Sequence, residues 1–160
     1  MASSPIVIKA EPIVVRISPL GFHQYASEFL HVARSVGVGS SFSPVPYYLY
    51  CRSLELVLKA FLLTKNVSAQ ELKNRKNLGH DLVKALDKAK TLGLGQLLTV
   101  TSVHENELVK ANNYYASKGF EYFEVIKAIH GYPDLPEISI LSEFASHLIA
   151  ALEPVCLNAT

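Results

Sequence analysis

The chain has 160 residues, of which 49% are hydrophobic and 18% charged, and its formal net charge is +1 at pH 7. This length predicts one domain with a real core. The near-neutral charge excludes a global basic field that would attract nucleic acid over a whole surface, although a local basic patch remains open. No stretch of about 18 uncharged apolar residues occurs, so no membrane span is predicted.

The N-terminal sequence lacks a charged leader followed by an apolar core, so no secretory signal is expected. The two cysteines, Cys51 and Cys156, have no metal-ligand spacing. Buried, reduced thiols are therefore favoured over a disulfide. These features predict a cytoplasmic protein, and nothing in the sequence calls for a cofactor or a bound metal.

Capping residues, chain breakers and apolar spacing predict five helices. They run over residues 18–37, 46–65, 80–93, 102–118 and 136–153, with a short capped turn at Ser68 after the second. Ser102 and Glu105 are expected to form a capping box, and Pro154 is expected to end the last helix. The conformation of residues 119–126 is left open.

The predicted fold is an all-α, up-and-down bundle of about five helices at residues 18–155. Residues 1–17 carry two short β-branched runs interrupted by prolines, which predicts an extended or flexible N-terminal arm that could dock onto a partner protein. Residues 156–160 are expected to form a short tail.

The bundle is expected to be organised around the second helix, because residues 47–65 are apolar on nearly every side. One narrow polar stripe remains, formed by Arg52, Glu55 and Lys59. The last two are four apart in the favourable order for an ion pair, and half-buried charges must be paired. We therefore expect Glu55 to contact His80 or the backbone beside it, and the stripe to be structural rather than catalytic.

Three further groups of residues are candidates for structure or binding. Asp81 suits the N-terminus of the following helix and is assigned to the polar cluster of the stripe. Tyr114, Tyr115, Lys118 and Tyr122 mix aromatic rings with a cation, a surface that could stack RNA bases, although core packing or a dimer seam is the commoner outcome. The other histidines, which show no shared metal spacing, are His23, His31, His104, His130 and His147.

The segment LELVLKAFL at residues 54–62, followed by Gly79-His80-Asp81-Leu82 at the start of the next helix, resembles the HEPN superfamily of helical-bundle domains. The name stands for higher eukaryotes and prokaryotes nucleotide-binding. The resemblance covers about residues 20–152. It implies an up-and-down bundle, often dimeric, of a kind frequent in toxin–antitoxin, defence and RNA-processing systems.

Catalytic members of that superfamily are metal-independent ribonucleases that use an Arg followed a few residues later by a His. Arg75 and His80 match this spacing, so Arg75 would hold the phosphate and His80 would act as general acid or base. Lys76 stands where the family usually has Asn, Asp or His, and the pair precedes a middle helix instead of a late one. A non-catalytic or divergent member is therefore favoured.

Three functions remain open at this point. The first is a dimeric HEPN-like binding module, associated with RNA or a nucleotide in a toxin–antitoxin or defence context. The second is a ribonuclease that uses Arg75 and His80. The third is a structural partner subunit without nucleic-acid binding. A basic patch of Arg52, Lys73, Arg75 and Lys76 beside His80 would favour the first two, and a flat apolar face would favour the third.

Overall fold

The computed structural model describes residues 17–36, 42–122 and 131–159. The helices in these ranges are α1 (Pro19–Val36), α2 (Pro44–Thr64), α3 (Ala69–Lys73), α4 (Leu82–Thr91), α5 (Ser102–Tyr115) and α6 (Ile138–Leu157). A 3₁₀ turn at Leu94–Gln96 joins α4 to α5, and the described part of the chain contains no β-strand. This confirms the all-α bundle. Residues 1–16 of the predicted arm lie outside the described residues.

α2 is the central helix of the bundle and packs against α1, α4, α5 and α6. Every residue from Leu54 to Leu62 is buried, including both charged ones, Glu55 and Lys59. Neighbouring helices cover this stretch of α2, so the polar residues within it have to find partners inside the protein. The prediction that this helix is the centre of the fold is correct.

Polar contacts of α1 add to its packing on α2 and α6. Ala26 and Ala33 are buried on α1, and their small side chains let the helices approach closely. The hydroxyl of Ser53 on α2 donates to the carbonyl oxygen of Ala26 at 2.7 Å, inside the core. On the other side, His23 Nε2 lies 2.8 Å from the carbonyl oxygen of Ile149 on α6. Each buried polar group thus meets a partner on another helix.

The N-terminal caps of α2 and α5 differ from the predicted ones by one or two residues. α2 begins at Pro44, after the N-cap Ser43, and not at Pro46. α5 is capped by Thr101, whose side chain accepts from the His104 N–H, so the expected capping box at Ser102 is wrong. In the observed box His104 takes the place of the usual glutamate, and its Nδ1 accepts from the Thr101 N–H at 3.4 Å. Adjacent hydroxyl residues are equally suitable caps in sequence.

The last helix continues through Pro154 to Leu157, which corrects its predicted end. A proline removes one helical hydrogen bond, here the one to the carbonyl of Ala150. Ala150 is exposed, so water can satisfy that carbonyl, and the helix resumes with the Asn158 N–H bonding to Pro154 at 3.2 Å. Cys156, expected in the tail, is buried, and this packing favours the extra turn.

α6 is the one described helix that is long and apolar enough to cross a membrane, with a mean hydropathy of 1.4 over its apolar window. Core helices of globular proteins pass the same test. Leu141, Phe144, Leu148 and Leu152 of this helix are completely buried in the bundle. One third of its apolar window is buried in the bundle, so packing accounts for part of its composition, and the expectation of no membrane span stays a prediction.

Candidate functional site

Four side chains converge on the carboxylate of Glu55, which is 1% exposed. Lys59 Nζ donates to Oε1 at 2.5 Å, and Arg52 Nη1 donates to Oε2 at 3.0 Å. The hydroxyl of Tyr115 on α5 also donates to Oε2. His80 Nδ1 lies 3.2 Å from the same oxygen. The structure thus brings Arg52, Glu55 and Lys59 together as expected and adds Tyr115 to them. These four residues are called the Glu55 cluster below.

The electrostatics of this cluster favour an ionised Glu55. Burial alone raises the pKa of a carboxyl group, but the charges of Lys59 and Arg52 and the hydrogen bonds to Glu55 outweigh burial, so the pKa of Glu55 lies below its ordinary value. Burial, and next the negative charge of Glu55, raise the pKa of Tyr115. The Tyr115 hydroxyl therefore stays protonated and serves as a donor.

A tight turn after α3 presents His80 to this cluster. The turn is closed by the Leu78 N–H, which donates to the Asn74 carbonyl at 3.0 Å. Gly79 has a φ of +47°, and a Cβ there would lie 3.0 Å from Cα of Arg75, so the position requires glycine. Lys59 Nζ donates to the Gly79 carbonyl at 2.5 Å. Two charged residues of α2, Lys59 and Glu55, therefore hold the turn by contacting Gly79 and His80.

Asp81 does not join the Glu55 cluster to which the sequence analysis assigned it. Its side chain caps α4 by accepting from the Lys84 N–H at 3.1 Å. Asn112 on α5 donates to the same Asp81 oxygen at 3.1 Å and accepts from the Leu82 N–H at 2.8 Å. The start of α4 is therefore fixed to α5, one residue after His80.

Two cavities flank His80, whose side chain is 43% exposed. The first has a volume of about 270 Å³, and its polar lining is Arg75, His80, Asp81, Ser117 and Lys118. The second has a volume of about 340 Å³, and its lining includes the charged residues Arg52, Glu55, Lys59 and Lys73 and the aromatic residues Phe22 and Tyr25. His80 lines both cavities, so its imidazole is accessible although its Nδ1 contacts the buried carboxylate of Glu55.

The basic connector at residues 73–77, which consists of the last residue of α3 and the first part of the turn, carries three exposed cations, Lys73, Arg75 and Lys76. None of them forms an ion pair with any residue in the described ranges. Most other lysines near the site do, for example Lys84 with Asp81 at 3.4 Å. The connector is therefore a local patch of uncompensated positive charge beside His80, on a chain whose net charge is close to zero.

The predicted aromatic surface at residues 114–123 is divided by the structure. Tyr115 is 2% exposed and belongs to the core, which is the commoner of the predicted outcomes and excludes it from a stacking surface. Tyr114 packs into an aromatic cluster, with its ring centroid 5.2 Å from that of Phe120. Tyr122 is 61% exposed, and the ammonium of Lys118 lies 5.5 Å from its ring centroid. Residues 123–126 lie outside the described residues.

Two functional elements escaped the sequence analysis. The link from Tyr115 to Glu55 joins residues far apart in sequence and leaves no local signal. The other element is the convergence of His104, Glu143 and His147, whose ligand atoms lie within 4.8 Å of one another. The spacing of Glu143 and His147, four residues apart on one helix, was a signal that could have found it. Among the described residues, these three form a group that could hold a metal ion.

No family model, curated protein or solved structure matches this chain. The resemblance to the HEPN superfamily therefore depends on the two motifs at residues 54–62 and 79–82. In the structure these motifs contact each other, because the first supplies Glu55 and Lys59 and the second supplies His80 and the Gly79 carbonyl.

Replacing Glu55 by Gln should lower the free energy of unfolding by about 3–5 kcal/mol, because Lys59 and Arg52 then lose their countercharge in or near the core. Urea denaturation followed by circular dichroism measures the change. Glu105→Gln is the matched control, since Glu105 forms an exposed pair with Lys90 and its loss should change stability little. Equal, small effects of the two substitutions would show that the Glu55 cluster is not buried in solution.

The stability of the wild-type protein should depend on pH through Glu55. Because its folded-state pKa is below the ordinary 4.5, its contribution is fully present above that pH and is lost as the pH falls through the folded value. Urea titrations from neutral to acidic pH should therefore give a steeper loss below about pH 4.5 for wild type than for Glu55→Gln. Parallel curves would mean that Glu55 titrates alike in the folded and unfolded chains.

Proposed function

We propose that this protein is a HEPN-like helical module that binds single-stranded RNA in the cleft around His80. The resemblance to that superfamily supports an RNA-linked role, a dimeric assembly and a toxin–antitoxin or defence context. The observation that carries the RNA assignment is independent of the resemblance. It is the placement of unpaired cations next to two cavities that share His80.

Positive charge lines both cavities at their outer sides. Arg75 and Lys118 border the first, and Lys73 and Arg52 border the second. Arg75 and Lys73 form no ion pair within the described ranges and can bind phosphate without first giving up another contact, whereas Arg52 and Lys118 also pair with Glu55 and Glu121. Release of the counterions around RNA favours the complex. Because Arg75 and Lys73 belong to one connector, a phosphate backbone could pass from one cavity to the other across His80.

One exposed aromatic ring lines the second cavity, and another contacts a cation that lines the first. Tyr25 on α1 is 45% exposed and lines the second cavity. Tyr122 lies against Lys118, which lines the first. Alternation of cations with aromatic rings is the arrangement by which proteins hold single-stranded RNA, because bases stack on the rings while the cations hold the phosphates. This arrangement favours RNA over an isolated phosphate.

Substitution of Arg75 by Ala should weaken the binding of a fluorescently labelled single-stranded RNA by about tenfold and reduce the slope of log Kd against log salt by about one. Anisotropy titrations over a series of salt concentrations measure both. Lys90→Ala is the control, since it removes one positive charge from the other end of α4, where Lys90 pairs with Glu105. Equal weakening by both variants would indicate only a non-local effect of net charge.

A second candidate function, metal-independent ribonuclease, is favoured by the contact between Glu55 and His80. A proton on Nδ1 that is held by the buried carboxylate leaves the lone pair of Nε2 free to act as a base. In that reaction the ribose 2′-hydroxyl attacks the adjacent phosphorus and gives its proton to Nε2. The 5′-oxygen leaves with a proton from water, and Arg75 stabilises the charge on the phosphoryl oxygens.

Incubation of RNA with the wild-type protein in EDTA separates the two candidates. The binding module should leave the RNA intact under conditions in which anisotropy detects the complex. His80→Ala and Arg75→Ala, purified in the same way, control for contaminating nucleases. Cleavage by wild type that both variants lose, with a 2′,3′-cyclic phosphate at the new end, would instead establish the ribonuclease.

A further inference from the structure

A second group of chemically capable residues lies outside the cleft, where the start of α5 meets the middle of α6. His104 Nε2 is 4.0 Å from Oε1 of Glu143, and His147 Nδ1 is 3.9 Å from the same oxygen. One ligand atom of each residue lies within 4.8 Å of the other two. The group contains two imidazoles and one carboxylate and makes no contact with the Glu55 cluster among the described residues.

The three side chains meet because of local helix geometry. Glu143 and His147 are four residues apart on α6, so they lie on one face in successive turns. His104 is in the first turn of α5 and is 7% exposed. Its ring stacks on the buried ring of Phe144, with centroids 4.6 Å apart and planes at 7°. Packing thus fixes the direction of the His104 ring, and its Nε2 faces Glu143.

We propose that His104, Glu143 and His147 form a binding site for a divalent transition-metal ion, with Zn²⁺ as the preferred ion. Two imidazoles and one carboxylate are a set of three protein ligands that zinc uses when its fourth position is open to water. Imidazole ligands favour zinc and its late-transition neighbours over Mg²⁺ and Ca²⁺, which prefer oxygen ligands. The site is independent of the proposed RNA binding.

The ligand atoms need only a small adjustment to reach the metal. Ligands about 2.0–2.2 Å from a tetrahedral zinc lie about 3.3–3.5 Å from one another. The separations of 3.9 Å, 4.0 Å and at most 4.8 Å exceed this by less than about 1.5 Å. The side chains of Glu143 and His147 are 53% and 56% exposed, so they can rotate towards His104 without repacking the core.

Binding also requires that His104 change its tautomer. In the capping box Nδ1 accepts from the Thr101 N–H, which places the ring proton on Nε2. A metal on Nε2 moves that proton to Nδ1 and removes this acceptor from the Thr101 amide. The bond given up is a long one of 3.4 Å, and Thr101 is exposed, so water can replace the lost acceptor. The bound metal would in return link α5 to α6 directly.

Isothermal titration of the full chain with ZnCl₂, after treatment with a chelator and its removal, tests the site. We expect one equivalent to bind to wild type, and binding to be weakened at least tenfold, on the order of the losses common at metal sites, in His147→Ala and in Glu143→Gln. His31→Ala is the matched control, since it removes an exposed histidine from α1 and should bind as wild type does. Both test positions are exposed, so these variants should fold.

Two spectroscopic readouts make the result decisive. Co²⁺ in place of Zn²⁺ should give the visible absorption bands of a tetrahedral site in wild type and in His31→Ala, but not in His147→Ala. Zinc at about a hundredfold its Kd should raise the melting temperature of wild type by about 5 °C or more, because it binds the folded chain alone. The proposal is overturned if wild type binds no stoichiometric zinc, or if His31→Ala and His147→Ala bind it equally well.

Discussion

The structure depends on one constraint, the burial of an ionised carboxylate at Glu55 in the middle of α2. Helices on several sides of α2 exclude water from the Glu55 side chain, so its charge must be met by Lys59 and Arg52. Such a cluster contributes less through net attraction than through the penalty for losing any member. Each remaining polar group of the cluster needs a hydrogen-bond partner as well. The cluster therefore restricts which residues of the rest of the chain can lie beside it.

Satisfying that cluster is what places His80 at the surface. After binding Glu55, the ammonium of Lys59 has further protons to donate, and it donates one to the Gly79 carbonyl. The second oxygen of Glu55 meets His80, and Asn112 fixes the start of α4 one residue later. The candidate site is thus held in place by direct contacts with the core, and substitutions at Glu55 would change stability and RNA binding together. Arg75 lies outside this cluster, which makes it the cleaner probe of function.

The helices of the bundle could be predicted because their signals are local. Ser68 caps α3, and Gly93, with a φ of +94°, follows α4 as the spacing requires. The errors lie where a tertiary contact decides between local alternatives. Thr101 and the serine after it are equally good caps in sequence, and Pro154 is a good terminator unless packing of Cys156 favours one more turn. Neither choice is encoded within the few residues that a local pattern covers.

Polar contacts between residues far apart in sequence can be predicted only in some cases. The partner of Glu55 at His80, 25 residues away, could be anticipated because a buried charge demands a partner and few candidates follow α2. Tyr115, 60 residues away, could not, because it is one of two adjacent tyrosines and either could have entered the core. Glu143 and His147 escaped for the opposite reason, since both are exposed and have no need of a partner. The spacing of Glu143 and His147 was the one local signal of this group, and the fold was needed to show that His104 of α5 lies beside them.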